Sequence, residues 1–257
     1  GCSIGLVCSA CAVCTTCGNL VCELDEDYVS CPSDCTCGNL VCDGGEDNTS
    51  CPSDCNPKPT LGYDKSGELS VAYCEDLSCS VITKNSLGLG KRYATLSIPP
   101  DESPFLAYNG SSGGQYVGLY GIKCQDKKCT SYSTNPLDPL PIIGTYKSSA
   151  VPSDNNPFIA YTFLPSLVEP INLSLIKCGN PDCSSNNIKT VVAPTSYPVY
   201  ISTNIFGNDL PGVVFSDGVG GTDGVLNLNY LECITADCSL HNVTLLDSFA
   251  GSNPYFI

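Results

Sequence analysis

Methionine and tryptophan are absent from this 257-residue chain, and histidine occurs only once, at His241. A single imidazole leaves no Ser-His-Asp or Cys-His constellation to assemble, which argues against nucleophilic catalysis of that kind. Lys and Arg are scarce, 11 against 26 Asp and Glu, for a formal net charge of −15. Nucleic-acid binding needs clustered cations to neutralise phosphates, so that class of partner is excluded. No run of about 18 apolar residues occurs, so no membrane span is expected. Gly218-Val219-Gly220-Gly221 has no helical pattern after it and reads as a turn, not a phosphate loop. With Met missing from position 1 as well, a signal peptide is expected to have preceded Gly1 and been removed.

Cysteine is what the chain has in excess, with 20 residues. Cysteine at this density and regular spacing belongs to oxidising, extracellular space. Four Asn-x-Ser/Thr sequons, at Asn48, Asn109, Asn172 and Asn242, agree with a secreted chain and make N-linked glycans the expected modification.

Eight of the cysteines form four evenly repeated pairs: Cys74 and Cys79, Cys124 and Cys129, Cys178 and Cys183, Cys233 and Cys238. The steps between pairs are 50, 54 and 55 residues, a period that signals a repeat architecture. An alternating apolar run precedes each pair, such as Leu69–Tyr73 or Leu226–Leu231, and another strand-like run follows. Two alternating runs joined by a short polar link read as a β-hairpin, whose facing cysteines lie within disulfide reach. Two more strands belong to each unit. One follows a proline, as in Pro104–Tyr108 and Pro157–Tyr161; the other lies upstream of it, as in Tyr93–Ile98, Tyr146–Val151 and Val199–Thr203. Labelling the order A-B-C-D, the chain from Pro59 reads BCD, ABCD, ABCD, ABCD, then Asn253–Ile257 as a final A strand. A terminal A strand supplies what the first set lacks. The expected fold is therefore an all-β, four-bladed β-propeller over residues 57–257, closed by its C-terminal strand. The same signals suit a sandwich, or a piece of a longer array; recurrence of Cys-loop-Cys in every quarter favours the propeller.

Residues 1–56 form a separate cysteine-rich arm, with nine acidic residues and no Lys or Arg. Its tip, residues 1–16, is uncharged and holds Cys2, Cys8, Cys11 and Cys14 beside Ile4, Leu6, Val7 and Val13. The every-third-residue run from Cys8 to Cys17 lacks the last gap and the proline of a ferredoxin run, and lacks the separated doublets of a zinc site. Disulfides are the expected state. Residues 17–55 are a tandem repeat of 20: Cys17, Cys22, Cys31 and Cys35, then Cys37, Cys42, Cys51 and Cys55. These copies resemble the Cys-Gly-Asn-Gly-x-Cys…Gly-Glu…Cys-Pro-x-Asp-Cys modules of secreted and cell-surface proteins, with Leu20 and Leu40 where the second Gly stands. The resemblance implies an extracellular module. A unit this small buries no useful core and depends on covalent staples. Asp43, Glu46 and Asp47, matched in the first copy by Glu23, Glu26 and Asp27, are candidate calcium ligands. Neither copy matches an EF-hand loop, which favours a solvated acidic loop instead.

Enzymatic activity is not expected. A glycosidase would need paired carboxylates, and Asp64, Asp101, Asp154 and Asp217 stand near the B strands, but turns select acids for conformational reasons. Two classes remain. One is a structural subunit whose arm links copies head to tail by self-association; the other is a carbohydrate-binding or adhesin module. The 14 tyrosines show no evident cluster along the chain, whereas the arm has no use in a free-standing lectin. The whole pattern resembles subunits of secreted, glycan-coated extracellular filaments, which implies a structural role.

Overall fold

The computed structural model describes residues 6–9, 13–16, 58–112, 115–139, 143–163, 171–192, 199–218 and 225–250. Among them the chain is all-β, with no helix long and apolar enough to cross a membrane. It divides into two compact units, Gly1–Pro59 with Cys74–Ile82, and Thr60–Tyr73 with Thr83–Ile257.

In the first unit, strands β1 (Leu6–Ser9) and β2 (Val13–Thr16) form an antiparallel hairpin in which Cys8 stands opposite Cys14. The rest of the arm, including Cys2, Cys11, every module cysteine from Cys17 to Cys55, Asn48 and the acids Asp43, Glu46 and Asp47, lies outside the described residues.

Fifteen strands make up four antiparallel sheets. The first holds β3 (Thr60–Lys65), β4 (Glu68–Cys74) and β5 (Ile82–Leu89). The second holds β6 (Lys91–Ser97), β7 (Phe105–Ser112), β8 (Gln115–Cys124) and β9 (Tyr132–Asp138). The third holds β10 (Ile143–Ala150), β11 (Phe158–Phe163), β12 (Asn172–Lys177) and β13 (Ile188–Val191). The fourth holds β14 (Val199–Ile205), β15 (Pro211–Gly218), β16 (Val225–Cys233) and β17 (His241–Ala250). Within each sheet the strands pair in chain order, so every sheet is a meander. The repeat read from the sequence is thus the sheet itself, the first one having three strands among the described residues.

Period-two burial does not hold for the middle strands. Six consecutive residues of β4, β7 and β11 are buried, and β7 and β11 each give one face to the sheet before and one to the sheet after. Alternation is seen instead in the last strands β5 and β9 of the first two sheets, whereas β17 is exposed along most of its length. Three apolar clusters follow, one for each pair of consecutive sheets. Leu69, Val71 and Leu87 meet Leu106, Tyr108 and Ile122. Phe105, Ala107 and Leu119 meet Ile159, Tyr161 and Ile176. Phe158, Ala160 and Leu175 meet Val213, Phe215 and Leu231. Each large side chain fully buried there contributes roughly 1.5–3 kcal/mol. In all three clusters the disulfide of the later sheet sits in the core, as Cys124 and Cys129 do in the first.

Strand β3 stands apart. Its first residue is half-buried and the next five are exposed, with Leu61 at 58% and Tyr63 at 37%. Its counterparts β7 and β11 are covered by a first strand, β6 or β10, that this sheet does not have among the described residues.

Candidate functional site

The first strands β6, β10 and β14 pack beside one another, and each carries a tyrosine at the corresponding position: Tyr93, Tyr146 and Tyr200. Pairing to the second strand is interrupted there in all three sheets, between Arg92 and Thr95, Ile143 and Lys147, and Val199 and Ile201. Tyr93 and Tyr200 adopt left-handed backbone, both with φ of 52°. That region costs an L-residue roughly 1–2 kcal/mol, so the neighbouring structure must hold them in place. The bulges turn the rings into a cleft of about 800 Å³, walled further by Ala94, Ile201, Ser202 and Leu228. Tyr146 and Tyr200 lie 5.4 Å apart between ring centroids, tilted by 56°.

Lys147 is the only charged group among the described residues of the wall. Its Nζ donates to the Tyr93 carbonyl at 2.7 Å and lies 5.9 Å from the centroid of the Tyr93 ring. Burial of the ammonium pushes its pKa down to about 7. Among the described residues, the wall sets one side-chain ammonium beside tilted aromatic rings.

The cysteines paired in the sequence are joined. Cys74–Cys79, Cys124–Cys129, Cys178–Cys183 and Cys233–Cys238 span Cα distances of 4.7, 4.8, 4.9 and 4.7 Å. Each closes so short a loop that its entropic contribution is about 2 kcal/mol. The loops share a construction that was not apparent from the cysteines alone. Asp76, Asp126, Asn180 and Thr235, two residues after the first cysteine, each accept at the carbonyl from the N–H of the second cysteine. Their side chains reach onward as well: Ser80 and Thr130 donate their hydroxyls to Asp76 and Asp126 at 2.5 Å. Hydrogen bonds from Ser80 and Ser78 hold the Asp76 carboxyl below the usual carboxylate range. All four second cysteines are left-handed, with φ from 53° to 58°. The loops also fasten adjacent sheets. Asn85 donates to the Lys128 carbonyl at 2.7 Å, Asn135 to that of Asp182 at 2.8 Å, and Thr190 to that of Asp237 at 3.4 Å.

The candidate acids are not brought together as a catalytic pair. Asp101 accepts from Lys123 at 2.9 Å and Asp154 from Lys177 at 3.0 Å, each in the turn before its own B strand. Asp64 accepts from the Gly67 N–H within the first sheet. His241 opens β17, its Nδ1 3.0 Å from the Cys238 carbonyl.

Three of the four sequons lie among the described residues. Asn109 is fully buried in β7, paired with Leu119, so the folded chain has no room for a sugar on its amide. Asn172 is half-buried at the start of β12, and Asn242 is exposed on β17. After glycosidase treatment, the Asn-to-Asp mass change is expected at Asn242 and not at Asn109. A modified Asn109 peptide from folded protein would contradict this burial.

The tyrosine cluster also corrects the sequence reading. Tyr93, Tyr146 and Tyr200 are 53 and 54 residues apart and look scattered along the chain. Aligned on the repeat they occupy one slot, which is the signal that would have revealed them. No known protein family matches the chain, and no curated protein matches it.

Proposed function

We propose that the chain is a secreted structural glycoprotein: a four-bladed β-propeller that serves as the repeating subunit of an extracellular filament or coat. The exposure of β3, in a sheet of three strands among the described residues, supports this reading. β3 is exposed along a row of residues whose counterparts in the other sheets lie behind a first strand. An uncovered strand edge is a template for pairing, and native proteins cover such edges or use them for assembly. Asn253–Ile257 has the A-strand position in the repeat and is the segment proposed to complete the sheet. With that slot filled by the same chain, the apolar tip of the arm, residues 1–16, is left to dock on the next copy. A head-to-tail contact that does not close propagates as a filament. The four disulfides and the exposed sequon at Asn242 suit an extracellular setting.

The exposure of β3 also favours a second route, in which Asn253–Ile257 of one copy enters the first sheet of the next. Electron microscopy of the full chain and of two truncations separates them. Loss of filaments on deleting residues 1–16 supports the arm as linker; loss on deleting 253–257 alone supports strand exchange. A full chain that stays dispersed under every extracellular condition tried would overturn the assembly reading.

A further inference from the structure

We propose that the edge of β17 is a docking site for a second copy of this chain, whose N-terminal hairpin, β1 and β2, adds to the fourth sheet as further strands. The inference rests on the assembly reading above and names the surface that receives the arm.

Among the described residues, β5, β9, β13 and β17 are each the last strand of their sheet. A last strand presents a row of unpaired N–H and C=O groups, and proteins blunt such edges with lysine, proline or a very short strand. The first three are blunted in these ways. β5 carries the exposed Lys84, β9 is interrupted by the exposed Pro136, and β13 is only four residues long. β17 has ten residues with neither lysine nor proline. From His241 to Leu245 it pairs with β16 in unbroken register, and the register shifts only past Leu245. That regular stretch is at least as long as β1 or β2, four residues each.

The side chains along this edge are apolar as well. Val243 is 48% exposed and Leu245 57%. Ile234 and Leu240, joined by a backbone bond at the start of the strand, are exposed too. Their counterparts are Gln125 and Ser131 in the second sheet, Gly179 and Ser185 in the third. The fourth sheet thus exchanges a polar rim for an apolar one where its edge is open.

The hairpin has the matching properties. Two four-residue strands alone are marginal in water and gain stability by joining a larger sheet. Leu-Val-Cys-Ser and Val-Cys-Thr-Thr carry no charge, so pairing them along β17 buries no ion. Strand addition draws affinity from main-chain hydrogen bonds and specificity from alternate side chains, here Val243 and Leu245. A glycan on Asn242 leaves the edge open, because strand side chains stand roughly perpendicular to the sheet. Hairpin and edge are different surfaces, so each added copy offers a fresh edge to the next.

The test combines Val243→Lys with Leu245→Lys in the full chain, which gives β17 the protection that β5 has. The pair is expected to abolish filaments in electron microscopy, whereas Leu89→Lys, at an exposed position of β5, leaves them unchanged. Copies lacking residues 1–16 and copies with the lysine pair should each stay monomeric alone. Mixed, they should form dimers in sedimentation, since one keeps the edge and the other the hairpin. Hydrogen exchange decides the matter if the lysine pair does not fold: amides within 242–245 are expected to gain about tenfold protection on assembly of the unaltered chain. Filaments that persist in folded lysine-pair protein, mixtures that stay monomeric, or exchange unchanged at 242–245 overturn the docking site and leave the assembly reading standing. A full chain that stays dispersed overturns both.

Discussion

Asp138→Ala is expected to destabilise the fold by about 3 kcal/mol, the largest single loss among the polar contacts between sheets. Asp138 ends β9 and is 4% exposed, facing the third sheet. There Tyr161 of β11 donates its hydroxyl to Oδ2 at 2.6 Å, and Lys189 of β13 reaches the same oxygen at 2.5 Å. Lys189 also lies 4.4 Å from the Phe163 ring centroid. Burial, with the bond to Asp138, pushes the Tyr161 hydroxyl far above its usual range, so it stays a donor. Removing the carboxylate leaves that hydroxyl buried without its acceptor. Lys189 suffers less, because a third of its side chain is exposed and can rehydrate. Tyr161→Phe is the comparison: it leaves the ion pair intact and should cost about 1 kcal/mol. In a domain of this size the Asp138 change corresponds to a melting-point drop of roughly 6–12 °C. Equal losses for the two variants in urea denaturation would mean that the carboxylate does not hold the sheets together.

Gly90→Ala comes next, with an expected cost of about 2–3 kcal/mol. Gly90 is the whole connection between the first sheet and the second, the one residue between β5 and β6. Its N–H donates to the Gly67 carbonyl at 2.9 Å, and its carbonyl accepts from Ser111 at 2.7 Å. The backbone is left-handed, with φ of +77°, and an added Cβ would stand 2.8 Å from the Ser111 carbonyl oxygen. Neither strain nor clash can be relieved by moving a flexible side chain, because the obstructing atom is backbone in a paired strand. Gly207→Ala has nothing within 4 Å of the new Cβ and should change stability by less than about 0.5 kcal/mol. If both variants unfold at the same urea concentration, the tight connection is not what fixes these two sheets.

Local features made the strands legible. Prolines mark the B strands, cysteines bracket the C–D turns, and the spacing of about 53 residues orders the sheets. What did not show was anything decided between sheets. Asn109 lies in a sequon typical of surface loops, yet the second strand of a four-stranded sheet has packed neighbours on both faces and buries it. The run Ser80–Thr83 reads as strand, but the cysteine loop uses Ser80 for its own side-chain bonds and pairing begins at Ile82. Tyr93, Tyr146 and Tyr200 have no local signature, since only the packing of β6, β10 and β14 side by side makes them neighbours. Lys123 and Lys177, each just before a cysteine, look solvent-facing in sequence; their stems are buried while each ammonium reaches an exposed carboxylate, Asp101 or Asp154.

The bonds from Asn85, Asn135 and Thr190 end on carbonyls one residue before the second cysteine of the following sheet. Each staple therefore shapes not only its own turn but the socket that its predecessor grips. The sheets behave as links with nearest-neighbour coupling, where the looseness of one is felt by the one before it. Pulled from its ends, such a chain shares load across consecutive links instead of shedding one sheet at a time. Chemical reduction of a single staple is then a mechanical event for two sheets.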